Sequence, residues 1–259
     1  MGQENTWVMG EFFGYFMVFA RLGGFIYMMP GISEIYVSGR VRLLFAMTLT
    51  LAITPVVQET LPLMPSTSLG FGFMILGEAA IGLIASVAIK IMLSTLDMVG
   101  ILYGYQIGLA NAFAFSPATS QQTGLPGVFL GTVAMVLIFA FDLHHSFLRA
   151  LVESYQTFSP INPLSFAQLS TGFMHLCLQT VTLSFSLALQ LSGPVIIFGF
   201  FMMMASGLLG RLVPQLQIFF VLQPLQLFLG FGLLIVSFAL MMRHFFESFG
   251  QVVVQLWGH

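Results

Sequence analysis

The placement of charge constrains this chain more than any other feature. No Asp, Glu, Lys or Arg occurs from Met98 to Phe141, from Ser154 to Gly210, or from Leu212 to Met242. A helix that crosses a hydrocarbon layer needs about 20 apolar residues. Each window therefore holds at least one span, and the 154–210 window has room for two. Lipid offers no water to backbone N–H and C=O groups, so a spanning segment must be a helix or part of a closed barrel. Barrel strands alternate apolar and polar residues over about ten positions. Val195-Ile196-Ile197-Phe198 and Met202-Met203-Met204 do not alternate. The reading is an all-α, polytopic membrane-type protein of kinked helices and helical hairpins.

Composition closes off the other classes. Hydrophobic residues make up 58% of the 259 and charged residues 6%, against roughly 25% charged in soluble domains. A mean hydropathy of +0.99 excludes an ordinary soluble domain and a disordered chain. The net charge of −2 gives no basic footprint for nucleic acid. A lone cysteine, Cys177, excludes a disulfide framework and a cysteine-rich metal site. Residues 1–6 are polar and hold no basic residue, unlike the start of a secretory signal; no cleavage is expected.

Proline, glycine and hydroxyl clusters punctuate the chain. They predict helices over about 7–29, 41–53 (ending before Pro55), 70–96, 98–112 and 128–155. A further helix is expected over about 166–210, kinked or split at Gly193-Pro194, and a last one from near Pro214 to Phe249, bent at Pro224. Ser116 to Gly127 is the longest internal polar stretch and reads as a loop. Glu11, Arg21, Glu78, Lys90 and Asp97 fall inside windows that otherwise look like spans. Such charges are costly in lipid and face protein or water.

Several constellations carry chemistry. Gly100, Gly104 and Gly108 are spaced by four, with Ala112 continuing the row; that places bare backbone on one helix face and suits a small-residue packing seam. Phe113 and Phe115 follow at once among small residues, then Ser116 and Pro117 open the polar loop. This segment is either a soft apolar plug that seals a pore by dewetting or a helix end with aromatic anchors in the headgroup layer. Asp142, His145, Arg149 and Glu153 share a helix stripe, as a proton relay or as a self-paired interfacial helix end. His144 and His145 argue against a metal site, because neighbours on a helix point about 100° apart. Gln215, Gln223 and Gln226 fall within about 80° of one another and would line a wet pore or hydrogen-bond between helices. No phosphate-binding loop occurs, and Lys90, the one lysine, follows no glycine-rich turn. No catalytic set and no cofactor is expected.

A wider pattern lies in the C-terminal third. Gly210-Arg211-Leu212-Val213-Pro214-Gln215-Leu216-Gln217-Ile218-Phe219, then Pro224 and Gly230, resembles the FliR family. These are the R-type subunits (T-type in injectisomes) of the bacterial type III protein export gate. Arg21 with Pro30, Arg40 and Arg42 with Pro55, Gly77-Glu78 with Gly82, and Gly104-Tyr105-Gln106-Ile107-Gly108 fall in the family's order. The resemblance covers essentially the whole chain and points to the flagellar branch.

The resemblance implies a single all-helical gate subunit: N-terminal helices over 1–112, a plug loop over about 109–127, and C-terminal helices over 128–259. It implies a place in a helical gate with P-type and Q-type subunits and the B-type switch subunit, through which unfolded flagellar proteins leave the cell. It places the chain in the inner membrane at the flagellar basal body, with the gate raised toward the periplasm. It implies that Phe113, Phe115, Ser116 and Pro117 belong to the plug, although the two phenylalanines stand one and two places later than in the family pattern. Glu78, Gln106, Arg211, Pro214 and Gln215 are implied as motif or partner-contact positions. The rival readings are a stand-alone transporter of a small solute, with helices broken at Gly193-Pro194 and Pro224, and a scaffold with no pore of its own.

Overall fold

The structure is a computed structural model that describes residues 2–34, 36–62, 65, 67–109, 124–158, 166–212 and 218–255. Among these every regular element is helical. Helix α1 spans Gly2–Met28, α2 Gly39–Val57, α3 Ser68–Gln106, α4 Leu125–Ala140, α5 Leu143–Thr157, α6 Phe166–Leu212 and α7 Ile218–Gln255; a short 3-10 turn, Gln58–Thr60, follows α2. Four helices are long and apolar enough to cross a membrane, or up to five if α4 and α5 count as one broken span. The protein is an all-α, polytopic membrane protein.

Helix boundaries depart from the sequence expectation in instructive ways. Helix α2 runs through Pro55 to Val57 rather than stopping short of it. Residues 70–96 and 98–112 do not form two helices: one helix runs unbroken past Asp97 to Gln106. Leu125-Pro126-Gly127 is not loop but the first turn of α4, where proline costs no hydrogen bond because that N–H has no helical partner. The 128–155 helix is instead two, broken at Phe141-Asp142 with a 72° bend. Pro194 and Pro224 sit inside α6 and α7 without interrupting either. The broken-helix transporter reading loses its structural basis there.

The chain forms two compact units, interleaved in sequence. One comprises residues 1–91, 138–181 and 251–259; the other comprises 92–137 and 182–250. In the first unit, Phe13, Met17, Val18, Leu22, Phe25 and Ile26 of α1, with Met29 just after it, are buried. Their three-and-four spacing forms one stripe along the helix. Helix α1 packs on α2, and α2 also touches α5. Thr50 and Thr54 on the buried side of α2 return their hydroxyls to the carbonyls of Ala46 and Thr50, so neither hydroxyl is left unpaired. In the second unit the core holds Leu96, Val99 and Tyr103 of α3, Ile107 just past its end, Leu130 and Ala134 of α4, Val195 of α6, and Phe245 and Phe249 of α7. The Tyr103 and Ser237 hydroxyls meet at 3.0 Å and join α3 to α7.

Candidate functional site

Two polar sites stand out in these apolar units. The first is built on Arg21, which is fully buried on α1. Its Nε donates to Glu78 Oε2 on α3 at 2.6 Å, and its Nη2 donates to Glu78 Oε1 at 3.0 Å. Nη1 donates to the Ser154 hydroxyl at 2.9 Å, and Nη2 also to the Phe158 carbonyl at 2.8 Å. The Ser154 hydroxyl in turn donates a hydrogen bond to the Leu151 carbonyl. The guanidinium carbon lies over the Tyr155 ring, 3.9 Å from its centroid. One cation thus ties α1, α3 and the end of α5 together with a two-pronged ion pair, two further hydrogen bonds and a cation–π contact.

Glycine makes this approach possible. A Cβ at Gly82 would overlap the Arg21 carbonyl oxygen, and one at Gly24 would overlap the Ala79 carbonyl oxygen. Helices α1 and α3 therefore touch backbone to backbone where the ion pair crosses. Glu78, expected at a motif or partner-contact position, directs its carboxylate inward to Arg21. Charge placement marked Arg21 and Glu78 as costly residues that must face protein or water. It carried no signal that they pair with each other, or that Ser154, Tyr155 and Phe158 complete the shell, because those contacts are made across more than fifty residues of sequence.

The second site lies in the other unit, where α3 ends. Gln223 Nε2 of α7 donates to the Gly108 carbonyl at 2.8 Å, and Gln226 Nε2 donates to the Gln106 carbonyl at 2.5 Å. The last carbonyls of a helix have no helical donor. In an apolar unit they must be satisfied by side chains, and two glutamines three residues apart on α7 do so. Glycines again let the elements close in. A Cβ at Gly230 would overlap Ile107, and one at Gly199 of α6 would overlap the Gln106 side chain. Gly108 itself adopts φ 81°, a left-handed conformation that ends the helix and suits glycine.

The expected glycine seam divides into three roles. Gly100 abuts the backbone of Gly127 in α4, Gly104 has open space at its Cβ position, and Gly108 shapes the helix end. Of the three glutamines singled out by angle, Gln223 and Gln226 hydrogen-bond between helices. Arg211 is exposed on the last turn of α6. Phe113, Phe115, Ser116 and Pro117, together with Pro214 and Gln215, lie outside the described residues. At the start of α5, Asp142, just before the helix, and His145 approach to 3.5 Å, and Arg149 is exposed.

A span-rich helical chain with a buried arginine–glutamate tie and a clamped helix end is compatible with several membrane folds. Sequence comparison decides among them. A family model described as "Bacterial export proteins, family 1" matches residues 12–252. Flagellar biosynthetic protein FliR of Caulobacter vibrioides is 37% identical over 221 residues, covering 85% of this chain and 86% of that protein. The chain belongs to the FliR family. Flagellar biosynthetic protein FliR of Bacillus subtilis is 28% identical, covering 86% of this chain and 85% of that protein. Secretion system apparatus protein SsaT of Salmonella typhimurium is 26% identical, covering 81% and 80%. The match takes in both polar sites, so Arg21, Glu78, Gln223 and Gln226 all lie within the FliR-family region.

Proposed function

We propose that this FliR-family chain is the R-type subunit of a flagellar type III export gate, assembled with P-type and Q-type subunits around the path of unfolded flagellar proteins. The observation that carries this reading is the family match over residues 12–252. Membership makes the chain a component of a bacterial type III export apparatus, held in the membrane by its apolar helices. The finer assignment draws support from surface chemistry. In the most apolar window of α6, only 11% of residues are buried within the chain. Leu183, Phe185, Ile197, Phe200, Phe201 and Met203 are exposed. Lipid or apolar partner helices must cover them.

The segment that begins after Gly108 acts in this reading as a plug. Its Phe113 and Phe115 close the path by dewetting, with Ser116 and Pro117 beside them. The glutamine clamp on the last turn of α3 gives that segment a fixed root. Phe and Met side chains suit a seal around varied extended substrates because they adapt in shape. Energy for export comes from elsewhere in the apparatus.

The test is electrical. Residues 113–123 are replaced by a short glycine–serine linker, leaving the first turn of α4 intact, and the co-expressed complex is placed in planar bilayers. Ion leakage through the assembled complex is expected. Conductance equal to wild type overturns the plug.

A further inference from the structure

We propose that Asp142, His144 and His145 form a binding site for a divalent transition-metal ion of the zinc class. The three residues sit at the break between α4 and α5. Each offers one ligand atom, and these atoms lie within 4.8 Å of one another. Asp142 Oδ1 and His145 Nδ1 are already 3.5 Å apart. Bonds of 2.0–2.2 Å to zinc put tetrahedral neighbours about 3.4 Å from each other. One pair thus has the spacing of a metal edge, and the third atom lies within 4.8 Å of both.

Adjacent helical positions diverge, which is the sequence argument against this site. The structure closes that divergence at the imidazoles, whose centroids are 4.1 Å apart with planes at 40°. Both histidines belong to the first turn of α5, and Asp142 precedes it at φ 56°. Asp142 is the one non-glycine residue at positive φ among those described. A left-handed aspartate is an uncommon conformation that marks a functional candidate, and here it carries the carboxylate back toward the rings.

One further observation points to a ligand. His144 Nδ1 is buried and has no hydrogen-bond partner among the described residues, although buried polar atoms are nearly always satisfied. The Phe139 ring stands 5.1 Å from the His144 ring and braces it. The donor set decides the class of ion. Imidazole favours zinc, copper and nickel, whereas magnesium and calcium take oxygen ligands. The Asp142 carboxylate also offsets the positive end of the α5 dipole, which would otherwise repel a cation. Water fills the remaining coordination positions.

The full chain, carrying a histidine-free tag and purified in mild detergent with its co-expressed partners, is titrated with Zn2+ by calorimetry. Cu2+ serves as the spectroscopic probe. One Zn2+ per chain is expected at this site, and Asp142→Asn and His145→Gln each weaken binding tenfold or more. Asparagine tolerates the left-handed backbone, so loss in that variant reports the missing charge rather than misfolding. Electron paramagnetic resonance of the Cu2+ form should show two coupled nitrogens in the wild type and one in His145→Gln. Equal Zn2+ affinity in the His144→Gln/His145→Gln double variant overturns the site. So does an unchanged nitrogen count, or a loss of binding that instead follows His244→Gln.

Discussion

Arg21 shows how a single side chain sets a local energy balance. Taking a guanidinium and a carboxylate out of water costs several kcal/mol per ion, and only good geometry repays it. The two-pronged pairing with Glu78 and the bonds to Ser154 and Phe158 supply that geometry. Arg21→Ala should therefore lower stability by about 3–5 kcal/mol, since it strands a buried carboxylate. The double change Arg21→Met/Glu78→Met should cost less than either single change. Denaturant unfolding in detergent measures both, and an additive double variant would show that the two groups do not depend on each other. Tyr155 separates ring from hydroxyl. Its buried hydroxyl has no partner among the described residues, so Tyr155→Phe should leave stability within about 0.5 kcal/mol or raise it. Tyr155→Leu should lose the cation–π contact, about 2 kcal/mol at a desolvated site.

At the scale of elements, glycines decide how closely helices pass. The overlaps described at Gly82 and Gly24 mean that any side chain there must push α1 from α3 and stretch the Arg21–Glu78 pair. Gly82→Ala should cost about 1–3 kcal/mol, read as a lower melting temperature of the purified chain. Gly104 lies on the same helix with open space at its Cβ position. Gly104→Ala should leave the isolated chain as stable or raise it by about 0.5–1 kcal/mol, because alanine loses less conformational freedom on entering a helix. Co-purification then tells what the seam is for. A stable Gly104→Ala chain that no longer retains its partners would place Gly104 at an interface between subunits. Full retention would remove that role. The glutamines of α7 act at the same scale: they satisfy the end of α3 from a different helix, and the price of losing them falls on the helix they cap.

For the molecule as a whole, apolar surface is the governing quantity. Large side chains along α2, α6 and α7 remain exposed, including Leu44, Leu51, Phe201, Phe228 and Val236. A groove of about 370 Å3 between α1 and α2 is lined by Phe12, Tyr15, Phe16, Phe19, Met47, Thr50 and Leu51. Such surface is unstable in water. Out of membrane or detergent, the chain on its own should aggregate. Expressed with its neighbouring genes and released in mild detergent, it should appear by native mass spectrometry as one copy in a large hetero-complex. A monodisperse single chain or homo-oligomer would contradict the gate-subunit reading.

Charge-free windows determined the class of this protein before any coordinate, because a backbone in lipid has few ways to bond itself. The order of arginines, prolines and glycines along the chain similarly carried the family. Gln223 and Gln226 were marked by angle as interhelical or pore-lining, and the helix end they cap settled which bonds they make inside the chain. Proline was over-read as punctuation at two places: Pro126 stands where its missing N–H costs nothing, and Pro55 lies within a helix that continues past it. Tertiary structure alone decided that Arg21 meets Glu78, that Ser154, Tyr155 and Phe158 surround them, and that Asp142 turns back on two histidines. Periodicity reports which face of a helix is apolar. Which faces meet is set by contacts between residues far apart in sequence, where a buried ion pair is stable only if both partners arrive in one geometry.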